Sequence, residues 1–107
     1  FHVTGVQTCA LPILLALTRT MALDLAPDNI RVISIHPGAT NTPMLQEHAQ
    51  REGKSLAELG FPTSDNAIGR IAEPEEVADV ISFALSKGAS FITGSSITPD
   101  GGILAKF

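Results

Sequence analysis

An α/β architecture built on a parallel sheet is the fold class that these 107 residues predict. Three observations carry it. Segments of helical periodicity alternate along the chain with β-branched runs. The clearest strand pattern, Ile30-Arg31-Val32-Ile33-Ser34-Ile35, is apolar on both faces rather than on one. Each strand pattern runs out into a proline- and glycine-bearing turn. A strand with two apolar faces needs helices above and below it, which is the arrangement of a parallel sheet. Two strands do not make such a sheet stable alone, so the pattern is that of one part of a larger sheet.

After Pro12, Leu14, Leu17, Met21 and Leu25 recur at helical spacing, with Arg19, Thr20 and Asp24 between them. This predicts an amphipathic helix whose first turn opens at Pro12, where a missing N–H costs nothing. Pro27 stops it, and Asp28-Asn29 form a turn into the strand at 30–35. That strand gives way to Pro37-Gly38. From Met44 to about Gly60 the chain turns polar, with a short helical pattern, and the stretch to Gly69 reads as an excursion longer than a tight connection. Glu73-Pro74-Glu75-Glu76 then places proline at a first helical position and carboxylates in the first turn. Val77, Val80, Ile81, Ala84 and Leu85 form its apolar stripe, and Gly88 supplies the stop. A short strand from Ser95 to Thr98 leads to Pro99-Asp100-Gly101-Gly102 and an apolar tail from Ile103 to Phe107.

Composition narrows the function classes. The chain is 44% hydrophobic and 17% charged, the balance of an ordinary folded protein. A net charge of −4, with seven scattered basic residues, argues against nucleic acid as a partner. The longest apolar run, Ala10 to Leu17, is too short to span a bilayer, so no membrane role is expected. No Lys or Arg precedes it, which also weighs against a signal peptide. Cys9 is the sole cysteine, so no internal disulfide or cysteine-based zinc site forms, and a cytoplasmic setting fits.

Four segments in order, LALTRTMALDLAPDNIRV, HPGATNTPM, GRIAEPEEVADVISFALS and SFITGSSITPDGG, resemble the C-terminal half of the short-chain dehydrogenase/reductase family from Leu14 to Gly102. The resemblance implies the C-terminal half of a Rossmann-type doubly wound parallel sheet, two strands with flanking helices. It implies an oxidoreductase that transfers a hydride between NAD or NADP and a small alcohol or carbonyl substrate, working as a homotetramer or homodimer. Ligands of such sheets sit outside the carboxyl ends of the strands, where Pro37 to Thr42 fall. By resemblance this loop meets the nicotinamide end of the cofactor, with Pro37, Gly38, Thr40 and Thr42 as the cofactor-binding residues. The Thr40 backbone would bond the carboxamide, Thr42 would add a hydroxyl, and Gly38 would allow close approach to the ring. The plainer reading makes Pro37-Gly38 a turn and Thr42 the N-cap of a helix opening at Pro43; both roles are compatible. His36 beside the loop reads as a strand-end side chain, although a histidine there has the pKa range of a proton shuttle. Residues 43–68 correspond to the family's substrate-covering lid, against a bare connector. Asp100-Gly101-Gly102 corresponds to a structural turn, and Ile33 stands where the family often places asparagine.

The family's reaction also needs a tyrosine to exchange the proton and a lysine four residues later to tune it. The chain contains no tyrosine, and in register with Leu14 these positions hold Gln7 and Leu11. No G-x-G-x-x-G turn for the pyrophosphate is present either. No catalytic residue is therefore assigned. Residues 1–13, FHVTGVQTCALPI, lie outside the resemblance and look like a translated sequencing-adapter remnant, leaving 14–107 as the C-terminal part of a single domain. The expectation is a chain inactive alone and marginally soluble, from an exposed strand edge. The alternative is a non-catalytic oligomerisation module derived from the same fold.

Overall fold

β-branched Ile33-Ser34-Ile35 forms strand β1 (Ile33–Ile35), which pairs in parallel with β2 (Ser95–Ile97). Ile33 lies against Ser95, Ser34 against Ser96 and Ile35 against Ile97, and the Ser34 and Ser96 hydroxyls meet at 2.7 Å across the pair. The computed structural model describes residues 5–59 and 66–106. In chain order these form helix α1 (Gly5–Leu25), β1, α2 (Pro43–Glu52), α3 (Pro74–Leu85) and β2, with short 3-10 turns at Ala26–Asp28, Lys87–Ala89 and Ile103–Lys106. The parallel pairing and the helix–strand alternation are those the sequence predicts.

Among the described residues two compact units can be distinguished. The first lies within Phe1–Ile35 and Phe83–Ile97, the second within His36–Ser82 and Thr98–Phe107.

In the first unit α1 packs on β1 and β2. The helix does not open at Pro12 but runs through it, so Pro12 is internal. A proline there cannot donate to the carbonyl four residues back, and the bonds on either side carry the helix past the gap. At its other end the α-helix stops at Leu25, two residues before Pro27. Asn29 then turns the chain in the left-handed region (φ 59°), its N–H bonded to the Ala26 carbonyl at 2.9 Å. The expected stripe is also displaced. Among the α1 residues whose side chains are described, Thr18 and Ala22 are buried, whereas Leu14, Leu17 and Met21 are exposed and line an open groove of about 340 Å³ with Val32 to Ile35. The small residues win the close approach because α1 passes Gly94, where an added Cβ would stand 3.4 Å from that of Ala22.

The first strand is shorter than the 30–35 run. Ile30 N–H turns back to the Leu25 carbonyl at 3.2 Å, and Val32 N–H takes the Thr93 hydroxyl rather than a ladder partner. Arg31 leaves the strand pattern to cap α3: its guanidinium donates to the Ala84 carbonyl at 2.8 Å, with longer bonds to Ile92 and Ser86. The Ala84 carbonyl is one that the end of a helix leaves without an internal partner. Gly88 is therefore not the stop of α3, which ends three residues earlier, and it lies inside a 3-10 turn without positive φ. Of the α3 stripe, Ala84 is buried and Val77 and Val80 half-buried, while Ile81 and Leu85 are exposed. One face of β1 is covered at Ser34, which is buried, whereas both isoleucines on the other face are only half-buried. The fully enclosed strand implied by the sequence is thus only partly covered by this chain's own side chains.

Candidate functional site

The chain leaves β1 at His36-Pro37 and enters α2 through a loop whose conformation is fixed within the second unit. Gly38 N–H donates to the Pro99 carbonyl at 3.1 Å. A Cβ at Gly38 would stand 2.8 Å from Asp100 Cα and 3.1 Å from the Asp100 carbonyl oxygen, so only glycine fits. Close backbone approach is thus what Gly38 provides, and its near neighbour is the turn at Asp100. Pro37 is exposed beside it.

The loop then makes a parallel bridge between Thr40 and Ala72. Ala72 N–H donates to the Ala39 carbonyl at 3.0 Å, and Asn41 N–H donates to the Ala72 carbonyl at 2.8 Å. In extended backbone successive peptide groups face opposite edges. With Ala39 C=O and Asn41 N–H committed to Ala72, the N–H and C=O of Thr40 face the other edge together. The Thr40 hydroxyl folds back onto the Gly38 carbonyl at 3.0 Å and stiffens the turn.

Thr42 is the N-cap of α2. Its backbone is extended (φ −115°, ψ 158°), its Oγ1 accepts from Leu45 N–H at 3.3 Å, and Pro43 occupies the first helical position. This is the structural role that the sequence allowed. Because the cap uses an oxygen lone pair, the hydroxyl proton stays available to a ligand. Gly53 closes α2 in the left-handed region (φ 61°).

Thr40 and Thr42 share a cavity of about 430 Å³ with Ala39, Met44, Leu45, Glu47, His48 and Arg51. Helix α2 supplies five of these, four of them on one face at i, i+3, i+4 and i+7 from Met44. That periodicity was present in the sequence, but the polar stretch reads as a solvated excursion until α2 is set against the threonine loop. Of the excursion at 43–68, residues 60–65 lie outside the described residues.

The support behind the loop is polar. Asp100 Oδ1 accepts from Gly102 N–H at 2.8 Å and its Oδ2 from Leu104 N–H at 3.2 Å, holding Gly101 and Gly102 at φ 65° and 84°. Asn66 accepts from Gly69 N–H and donates to the Arg70 carbonyl, both at 2.7 Å, while the Gly101 carbonyl accepts from Ala67 and Ile68 N–H. Arg70 grips Glu76 with two bonds of 2.8 and 2.6 Å, and Glu76 also accepts from Glu73 N–H at 2.7 Å, closing one half of a capping box at the start of α3. Hydrogen bonds from Arg70, and then from the Glu73 backbone, hold the Glu76 carboxyl down at about 2; the Arg70 guanidinium is raised by the same pairing. A sequence reading finds Glu76 as first-turn charge but not Arg70, Asn66 or Asp100 as its scaffold.

The donor set fits a nicotinamide. A primary carboxamide presents one acceptor and a pair of donors, and the Thr40 edge presents the complement, one N–H and one C=O. Among the described residues no group of acidic, histidine and cysteine side chains is arranged to hold a metal ion, and no helix is long and apolar enough to cross a membrane.

Residues 8–104 match the protein family described as enoyl-(acyl carrier protein) reductase. Cyclopentanol dehydrogenase of Comamonas sp. is 46% identical over 88 residues, covering 82% of this chain and 34% of the relative. A short chain dehydrogenase family protein from Francisella tularensis superposes with a TM-score of 0.79 at 32% identity, over 95% of this chain and 44% of that one. A 4-hydroxyisoleucine dehydrogenase complexed with NADH does so with a TM-score of 0.78 at 30% identity, over 94% and 40%. The chain spans about a third of the length of the curated relatives it matches. Sheet, loop and relatives converge: this is part of a Rossmann fold, and the chain belongs to the short-chain dehydrogenase/reductase family, whose dehydrogenases use NAD or NADP.

Proposed function

We propose that the protein carrying this chain is an NAD(P)-dependent oxidoreductase that interconverts a small secondary alcohol and its carbonyl compound, and that this chain supplies its nicotinamide-facing loop. The observation that carries the reading is the Thr40 backbone edge, a donor and an acceptor side by side and turned away from Ala72. Thr40 N–H donates to the carboxamide oxygen and Thr40 C=O accepts from its amino group, fixing which face of the ring is presented. Thr42 donates its hydroxyl proton to the same group or to phosphate, and Pro37-Gly38 hold the loop in place. When bound, the cofactor supplies hydride acceptance and donation at its nicotinamide ring. For alcohol oxidation the carbinol carbon loses a hydride to NAD(P)+ and the hydroxyl loses a proton to a base; reduction reverses both.

No residue of this chain is assigned to the proton transfer. The chain alone is inactive on this reading, because it has neither a tyrosine nor a glycine-rich pyrophosphate turn. Excursion 43–68 serves as the lid over the substrate, and the protein works in the cytoplasm as a homotetramer or homodimer. A full-length polypeptide that carries this chain should change nicotinamide absorbance in the presence of small alcohols or ketones. The same change from the 107-residue chain would overturn its assignment as inactive, and none from the complete polypeptide would overturn the enzyme. A second reading, an oligomerisation module without chemistry, draws support from Phe91 and Leu85, large apolar side chains left exposed in the first unit. Defined oligomers without NAD(P) binding would favour it.

A further inference from the structure

The cavity that begins at Thr40 and Thr42 is graded in polarity. Near the loop its walls are Ala39, Met44 and Leu45; farther along α2 they are Glu47, His48 and Arg51. In a helix, positions 48 and 51 lie roughly 9 and 13 Å beyond the cap residue, and side chains lean back toward the helix start. The ionic end is therefore one to two turns from the nicotinamide-facing edge, with hydrocarbon between.

Three polar side chains, Glu47, His48 and Arg51, face that end. Glu47 Oε1 accepts one bond from the Arg51 guanidinium at 2.7 Å, with both side chains well exposed at 62% and 74%. A pair so exposed contributes little to stability, and it engages one of the five N–H donors of the arginine, leaving the rest of the fork for another carboxylate. His48 has no hydrogen-bond partner among the described residues and lies one turn before Arg51 on the same face. Among the described residues the Glu47 carboxylate is the only anion lining this cavity, and it is the group a bound anion must compete with.

We infer that Arg51, assisted by His48, is a specificity-determining site for a carboxylate at the far end of the substrate. The favoured substrates are keto or hydroxy acids with a short hydrocarbon spacer between the reacting carbon and the acid. The spacer packs on Met44 and Leu45, and the acid takes the free donors of Arg51 in a bidentate pair. This inference rests on the oxidoreductase reading and narrows its substrate class.

The test compares 5-oxohexanoate with 2-hexanone, which differ by the acid, as substrates for NAD(P)H-dependent reduction by the complete enzyme. The expected kcat/KM ratio favours the acid by tenfold or more. Arg51→Met removes the charge and keeps the stem, so the ratio falls at least tenfold, chiefly through KM for the acid. Arg51→Lys restores part of it. Glu47→Gln removes the competing carboxylate and moves the ratio the other way. Glu52→Gln, a charge change on α2 outside the cavity, leaves the ratio where it was. A ratio near one in the parent enzyme, or one that Arg51→Met does not move, overturns the inference while leaving the oxidoreductase standing. Failure to reduce any carbonyl compound overturns both.

Discussion

Replacing Gly38 by alanine separates two reasons for glycine in the loop that follows β1. In the structure the new methyl group would stand 2.8 Å from Asp100 Cα, 3.1 Å from its carbonyl oxygen and 3.2 Å from its Cβ. Carbon atoms rest at about 3.5–4.0 Å, so the loops must separate by roughly 1 Å. Asp100 cannot simply rotate away, because the closest atom is backbone. Its carboxylate holds the N–H groups of Gly102 and Leu104, and the neighbouring Pro99 carbonyl holds Gly38 N–H. Overpacking of this kind costs about 1–3 kcal/mol. In a domain of 150–250 residues each kcal/mol lowers the melting temperature by about 2–4 °C, so a fall of about 2–12 °C is expected. The assay is thermal unfolding of the complete enzyme followed by circular dichroism, with and without NAD(P)H. If glycine is required only for approach to the ring, the unliganded melting temperature stays within a degree of the parent and KM for the cofactor alone rises. That result would refute the packing argument.

Thr42→Ala removes the α2 cap and should cost about 0.5–2 kcal/mol by denaturant titration, with Thr42→Ser restoring most of it. A larger rise in cofactor KM for alanine than for serine would accompany it if the hydroxyl also serves the ligand. Glu76 is held at about 2 in the fold against 4.5 as an isolated group, so its contribution is present above about pH 4.5 and is lost as pH falls toward 2. The difference in melting temperature between the parent and Glu76→Gln should therefore shrink over that window. A difference that does not change with pH would contradict the pairing. Arg31→Met strips the Ala84 carbonyl of its partner and should destabilise by about 1–3 kcal/mol, with faster amide exchange in the last turn of α3. Unchanged exchange there would show that water replaces the guanidinium.

The parallel pairing, α3 and the threonine loop were legible in the sequence because each depends on local signals: β-branched runs, a proline with acidic residues behind it, a proline–glycine exit. What stayed hidden depends on partners distant in sequence. Arg31 reads as an ordinary strand residue, yet its side chain serves the end of α3, more than fifty residues on. Asp100 reads as part of a glycine turn, yet that turn is what excludes any side chain at residue 38. The α1 stripe Leu14-Leu17-Met21 was found correctly as apolar but not as uncovered. Periodicity reports which face avoids water and says nothing of whether this chain supplies the cover. His48 and Arg51 did not stand out as cavity-lining residues because polar positions on a short helix look solvated until a cavity is found beneath them.

The bridge between Thr40 and Ala72 has a further consequence. It joins the two feet of a long detour in the chain, and Asn66 with the Gly101 carbonyl secures the returning limb a second time. A detour tied at its base can be lengthened at small entropic cost, since closure entropy grows only with the logarithm of length. Residues between the ties can thus be exchanged as a cassette while Thr40 keeps its place, so on the proposed function substrate choice and cofactor grip would vary separately.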